Sequence, residues 1–179
     1  MRFYNERVEA SRNFANKVWN ASRFIMMNMD ENIIDEPSHD LFTPADRWIL
    51  SAANTLAKDV TDNMDKFELG IAVQKVYDFI WDEFCDWYVE MAKFRIYHKE
   101  EAPEAANCAL WVLKTVLAQG LKLLHPFMPF ITEEIYGALV PEEESLMMSE
   151  WPKYKEEWNF AQDEFVMERV KAVTRGIRN

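Results

Sequence analysis

One long segment restricts the possible folds of this 179-residue chain more than any other feature. Residues 71–97 contain no glycine and no proline, and from Val76 to Met91 the segment is apolar almost all round when drawn as a helix. A helix of this kind needs neighbours on every side, so the pattern predicts the central helix of a bundle. One polar stripe remains on this predicted helix. We interpret it as a solvent-exposed face on which oppositely charged side chains three residues apart form ion pairs. The expected pairs are Lys75–Asp78 and Glu90–Lys93.

The rest of the chain divides into helices at capping and proline signals. Thr43, Pro44 and Asp46 supply an N-cap, a first-turn proline and the acid of a capping box. His125 stands before a proline, a position that disfavours helix, and so ends the segment before it. Only four glycines are present, which argues against a turn-rich β protein. Helices are predicted at about Phe3–Asn28, from Thr43 through about Met64, at about Ile71–Tyr97, at about Pro103–Leu124, briefly from Pro129, and at about Ala161–Arg178.

These elements predict an all-α fold, an up-and-down antiparallel bundle of about five to six helices. The length and a hydrophobic content of 49% suit one domain. Within it we expect a core bundle at about 1–140, an irregular segment at 141–160 and a truncated C-terminal helix at 161–179. The irregular segment has one possible short strand, Leu146–Met148. An acidic loop, Asp30–Phe42, is expected around Pro37.

Charge and cysteine content argue against several classes of protein. The net charge of −11 disfavours a nonspecific binder of nucleic acid or anionic membranes, but it does not exclude a local basic patch. Cys85 and Cys108 lie in apolar patterns without a CxxC spacing, which indicates reduced core thiols of a cytoplasmic protein. The charged N-terminal residues do not resemble a signal peptide, and no apolar stretch is long enough to predict a membrane span.

Motifs for independent catalysis are missing from the sequence. The one Glu-x-x-His arrangement, Glu36 to His39, contains Pro37 and falls in the predicted loop, which argues against a di-metal site in the bundle. There is no HExxH zinc motif, no EF-hand loop and no phosphate-binding loop. The three histidines are far apart in sequence. We therefore expect no catalytic site, no metal and no cofactor in this chain.

The first predicted helix places an aromatic residue on its polar side. Phe24 falls there, among amides and cations. A loop or a neighbouring domain could cover it, or it could form a stacking platform for an unpaired base while amides read base edges and cations hold phosphates. The pattern leaves both interpretations open. The predicted apolar side comprises Val8, Ala15, Val18, Trp19, Ser22, Ile25, Met26 and Met29.

Several stretches together resemble the anticodon-binding domain of the valyl-tRNA synthetase family. The resemblance covers nearly the whole chain, in the right order, and looks bacterial. The histidine–proline stretch alone would indicate only the wider class I group for valine, isoleucine and leucine, whereas the first and third stretches favour valine. The stretches are RNFANKVWNASRF at 12–24, DRWIL at 46–50, IWDEFCDWYVEMAK at 80–93, LLHPFMPFITEEIY at 123–136 and EWP at 150–152.

This resemblance implies a helical module of a larger enzyme. The full-length synthetase uses ATP and magnesium to attach valine to its tRNA, through HIGH and KMSKS signatures that this sequence lacks. The implied partners are the anticodon stem-loop of the valine tRNA and the catalytic domain of the same polypeptide, with no membrane. We expect a cytoplasmic monomer. The bare start of the chain and the abrupt end of its last helix agree with a piece of a longer protein.

The family recognises mainly the middle and last anticodon bases, adenine and cytosine. The matching stretches, with Arg95 two residues beyond one of them, supply eleven candidate residues. Phe24 is expected to stack on or beside a loop base, and Glu90 can accept a hydrogen bond from an exocyclic amine. The candidates for base-edge or sugar contacts are Asn13, Asn16 and Asn20; those for phosphates are Arg12, Lys17 and Arg23; those for the far side of the groove are Trp87, Glu90, Lys93 and Arg95.

The sequence pattern leaves alternatives open for the asparagines and for the chain as a whole. The asparagines could instead bond to neighbouring helices or loops. The chain could be the corresponding module of an isoleucine or leucine enzyme, or a helical protein-interaction bundle with no RNA role.

Overall fold

The computed structural model describes residues 5–29 and 35–178, and within them the chain forms seven α-helices. A π-helical segment, Phe79–Tyr88, joins the third helix to the fourth, so residues 69–97 form one continuous helix. The all-α fold predicted from the sequence is confirmed. The helices are α1 Asn5–Asn28, α2 Pro44–Asp65, α3 Leu69–Asp78, α4 Val89–Tyr97, α5 Pro103–Leu124, α6 Pro129–Leu139 and α7 Ala161–Arg178, with single 3-10 turns at His39–Leu41, Leu146–Met148 and Glu156–Trp158.

Capping and proline signals located the helix ends well. The Oγ1 atom of Thr43 accepts the Asp46 N–H at 3.3 Å, while the Asp46 carboxylate accepts the Thr43 N–H at 2.8 Å. This is the predicted capping box at the start of α2. The bounds of α5 and α7 are also as predicted. The predicted start at Phe3 and residues 30–34 of the predicted loop lie outside the described residues.

The strand predicted at Leu146–Met148 is wrong, because these residues form a 3-10 turn. The Leu146 N–H donates to the Glu133 carboxylate at 3.1 Å, and the Met147 N–H donates to Ser145 Oγ at 3.2 Å. Two nearby side chains therefore satisfy the backbone donors that a strand would need a partner strand to satisfy.

The continuous helix at residues 69–97 lies at the centre of the bundle, as predicted, and contacts α1, α2 and α5. The predicted pair Glu90–Lys93 is present, with 2.5 Å between carboxylate and ammonium. The predicted pair Lys75–Asp78 is wrong. Lys75 instead reaches Asp59 of α2 at 2.7 Å, because α2 packs against α3 and brings that carboxylate beside it.

A buried ionic network links α2 to the centre of the bundle. Asp46 is fully buried, and its carboxylate accepts hydrogen bonds from the Tyr88 hydroxyl at 2.6 Å and from the Arg95 guanidinium at 2.5 and 2.8 Å. Burial alone would lower the pKa of Arg95, but the hydrogen bonds and charge of Asp46 raise it. Burial and the same charge raise the pKa of Tyr88 well above its usual value. Asp46 is therefore both a helix cap and the anion of a buried pair.

The packed face of α1 is rotated from the one predicted. Phe14, outside the predicted stripe, is buried, and its ring stacks on Tyr77 at 4.5 Å between centroids and on Trp81 at 6.4 Å. Val8 and Trp19, which the stripe included, are exposed. The helix turns toward the aromatic π segment because burying the Phe14 ring there removes more apolar area from water. The buried residues of α1 are Phe14, Val18, Ala21, Ser22 and Ile25.

Both cysteines are free and buried, as predicted. Burial raises the pKa of Cys85 to about 12 and that of Cys108 to about 11, so both thiols stay protonated near neutral pH. At pH 8 we expect neither to react with an aromatic disulfide reagent in the folded chain, and both to react at once in guanidinium chloride. Absorbance of the released thiolate measures this. Rapid reaction of one thiol without denaturant would contradict the burial described here.

Candidate nucleic-acid interface

One outward face of α1 differs in charge from the rest of the molecule. Between Glu9 and Asp30 the chain contains three cations and no carboxylate, although its net charge is −11. Arg12 and Arg23 are exposed on this face. Glu6 and Glu9 are exposed in the first turns of the helix, so the cationic surface begins after Glu9. A local cationic surface on an acidic protein is what a binder of a polyanion requires.

Three asparagines occupy the same face. Asn13, Asn16 and Asn20 are three and four residues apart, which aligns them along the helix, and all three are exposed. None of them forms a side-chain hydrogen bond with another residue in the described part of the chain, so the structure does not support the alternative that they hold neighbouring helices. Their amides are open to an external partner. An amide can both donate and accept, which suits it to the edges of unpaired bases.

Lys17 is held at the edge of this face by two neighbours. Its ammonium lies 2.7 Å from the Asp86 carboxylate and 3.7 Å from the centroid of the Trp81 ring. The side chain is half-buried. Lys17 is therefore oriented, but Asp86 partly neutralises its charge, so a phosphate would compete with that carboxylate.

Phe24 lies at the border between α1 and α4 rather than in the middle of the polar face. Its ring is half-buried against the core. The Lys93 ammonium stands 5.6 Å from the ring centroid, and Lys93 also pairs with Glu90. Lys93 therefore links Phe24 of α1 to Glu90 of α4, so these three candidates lie along one border.

Phe24 has an aromatic neighbour that is not among the residues predicted from the sequence. Tyr97 lies 6.3 Å from Phe24 between ring centroids, with the ring planes at 86°. It is 66% exposed. Its position four residues after Lys93 and seven after Glu90 places it on the same helical stripe, which is the signal that could have identified it.

Arg95 and Trp87 are in contact with charged side chains of other helices. The guanidinium of Arg95 is bound to buried Asp46, and its side chain is only 15% exposed. The ring of half-buried Trp87 lies under Arg175 of α7, 5.8 Å from the guanidinium carbon. Both side chains have structural neighbours on other helices, so neither is grouped with α1.

Among residues 5–29 and 35–178, no group of three or more histidine, cysteine, aspartate or glutamate side chains is arranged to hold a metal ion. In the same part of the chain, no helix has both the length and the apolar character needed to cross a bilayer.

The family model for the anticodon-binding domain of tRNA ligases matches residues 46–179. The chain belongs to this anticodon-binding domain family. It is similar to the valine–tRNA ligases of Clostridium tetani, at 51% identity over 180 residues, of Clostridium perfringens, at 52% over 180 residues, and of Oceanobacillus iheyensis, at 45% over 181 residues. Each alignment covers 100% of this chain and 20% of the relative. The resemblance inferred from the sequence stretches is confirmed.

The chain spans about one fifth of the length of the curated relatives that it matches. The family model begins at Asp46, after α1, whereas the alignments with the valine–tRNA ligases include α1. The helix that carries seven of the eleven candidate residues therefore lies outside the general match to the anticodon-binding domain family. It is part of the longer region that this chain shares with valine–tRNA ligases.

Proposed function

We propose that this chain is the module with which a valine–tRNA ligase binds the anticodon stem-loop of its tRNA. The observation that carries the proposal is the outward face of α1 from Arg12 to Arg23, which has exposed amides and arginines and no carboxylate, on a domain of the tRNA ligase anticodon-binding family. The similarity to valine–tRNA ligases supports valine over isoleucine and leucine.

Recognition in this proposal involves no covalent step. Asn13, Asn16 and Asn20 read base edges or sugars of the unpaired loop, since their amides are exposed and unbonded to described residues. Arg12 and Arg23 bind phosphates. Lys17 binds a phosphate when its ion pair with Asp86 opens.

On the α4 side, the carboxylate of Glu90 can accept a hydrogen bond from the exocyclic amine of adenine or cytosine. Glu90 is exposed, so a base edge can reach it beside its partner Lys93. We leave Arg95 and Trp87 out of the interface because each already has a charged partner on another helix.

The module acts by placing the tRNA so that its distant acceptor end reaches a catalytic domain elsewhere in the polypeptide. ATP and magnesium act at that catalytic domain, and we assign no residue of this chain to binding them. We also propose that the protein is cytoplasmic and that it binds as a monomer, with one RNA for each chain.

Binding of RNA stem-loops to the 179-residue chain tests this function. At low salt, we expect the valine anticodon loop to bind about 5- to 150-fold more tightly than the same loop with its middle adenine changed, the equivalent of about 1–3 kcal/mol. The Asn16→Ala/Asn20→Ala double variant should lose most of that preference. Fluorescence anisotropy of labelled RNA measures both.

Asn107→Ala is the matched control, because Asn107 is an exposed amide on α5. It should bind like the native chain. Loops from isoleucine and leucine tRNAs complete the series, and tighter binding of either would reassign the specificity. Equal binding of all loops, unchanged in the double variant, would overturn the proposal and favour a protein-interaction role.

A further inference from the structure

The aromatic surface beside the amide face of α1 belongs mainly to Tyr97. Tyr97 ends α4, and 66% of the residue is exposed. Exposed tyrosines usually have rotational freedom, but the perpendicular contact with Phe24, at 6.3 Å and 86°, restrains this ring. The ring is therefore both accessible and oriented in the free protein.

Phe24 has little of its own ring left to offer. It is half-buried against the core, Tyr97 contacts it edge-on, and the Lys93 ammonium lies 5.6 Å from its centroid. A base stacking on Phe24 would have to displace Lys93 or Tyr97. A base stacking on Tyr97 would displace nothing that the structure describes on the exposed part of that ring.

We propose that an unpaired base of the anticodon loop stacks on Tyr97, and that Phe24 positions the Tyr97 ring. The inference rests on the proposed function and assigns the stacking contact within it. Lys93 lies one helical turn before Tyr97 on the same stripe, where the phosphate of the stacked nucleotide would compete with Glu90 for its ammonium. The partner must be single-stranded, because bases inside a duplex already stack on each other.

Phe94 supplies a matched control on the same helix. It is 69% exposed, nearly the same fraction as Tyr97. Its ring contacts His98, at 4.4 Å between centroids, and it has no ring contact with α1 among the described residues. Substituting Phe94 removes an exposed aromatic ring of similar size without disturbing the border with α1.

Binding of the valine anticodon stem-loop to four forms of the 179-residue chain tests the inference. We expect Tyr97→Ala to weaken binding about 5- to 150-fold. Tyr97→Phe, which keeps the ring, and Phe94→Ala should both stay within about twofold of the native chain. Thermal melting followed by circular dichroism verifies that each variant is folded.

A fluorescent adenine analogue, 2-aminopurine, placed at each loop position in turn locates the stacked base. Its emission should be quenched by the native chain at one position, and Tyr97→Ala should abolish that quenching. A double-mutant cycle tests whether Phe24 acts by positioning the Tyr97 ring. Phe24→Ala should weaken RNA binding in the native background, and it should cause no further loss of binding when Tyr97 is already alanine. Phe24→Tyr, which keeps a ring against Tyr97, should restore binding.

Two failures are distinguishable. A native chain that prefers the valine loop, but binds it equally well as Tyr97→Ala, overturns this inference and leaves the proposed function intact. A large loss with Phe24→Ala in both backgrounds assigns the stacking to Phe24 instead. A native chain without any preference among the loops overturns both proposals.

Discussion

Replacing Asp46 by alanine is expected to lower the free energy of unfolding by about 3–5 kcal/mol. The change leaves the Arg95 guanidinium inside the protein without the carboxylate that it bonds at 2.5 and 2.8 Å. The Tyr88 hydroxyl loses its acceptor, and α2 loses one half of its capping box. One substitution therefore removes a contact from α2, from the π segment and from α4. Water cannot easily replace the lost carboxylate, because the site is fully buried.

Urea unfolding followed by circular dichroism measures this effect. Asp62→Ala is the control, because Asp62 is an exposed acid of the same helix that stands 3.9 Å from Lys58. That change should cost about 0–1 kcal/mol, as exposed ion pairs usually do. A similar small cost for Asp46→Ala would show that the network does not hold α2 to the central helix.

The second large effect is expected from Phe14→Ala, which should cost about 3–5 kcal/mol of stability. Phe14 is 3% exposed, and its ring is stacked on Tyr77, which is itself stacked on Trp81 at 5.7 Å. Alanine would leave a cavity at the point where α1 meets the π segment. Since the amide face lies on the other side of the same helix, loosening α1 should also weaken RNA binding.

Chemical unfolding measures the loss of stability for Phe14→Ala, and Phe94→Ala is the reference for removing an exposed phenylalanine. We expect the reference to change stability by less than about 1 kcal/mol. Hydrogen exchange should show faster exchange concentrated in α1 of the Phe14 variant. Uniform acceleration over all helices would mean that Phe14 supports the whole bundle rather than the docking of α1.

Local signals predicted much of this fold because capping depends on neighbours in sequence. Thr43 and Asp46 are three residues apart, and each proline that begins a helix acts on its own turn. The orientation of α1 was not predictable in this way. It depends on Phe14 meeting Tyr77 and Trp81, more than sixty residues away, and no periodicity within α1 contains that information.

The candidate site could likewise be predicted only where it depends on residues close together in sequence. The exposed amides of α1 could be identified from one helix, because they share a face that contains no carboxylate between Arg12 and Arg23. Arg95 was grouped with them because it lies near Lys93 in sequence, but its partner Asp46 is 49 residues away. Tyr97 shares the helical stripe of Glu90 and Lys93, but that stripe does not reveal its contact with Phe24 on another helix.

The π-helical segment determines which side chains of α4 meet α1. A turn that closes from residue i to i+5 holds about one residue more than an α-helical turn, so every later side chain is displaced around the axis. Glu90, Lys93 and Tyr97 follow that segment directly. Removing one residue from the segment would therefore rotate α4 about its axis, so that different side chains would face Phe24 and Arg95 would turn away from Asp46.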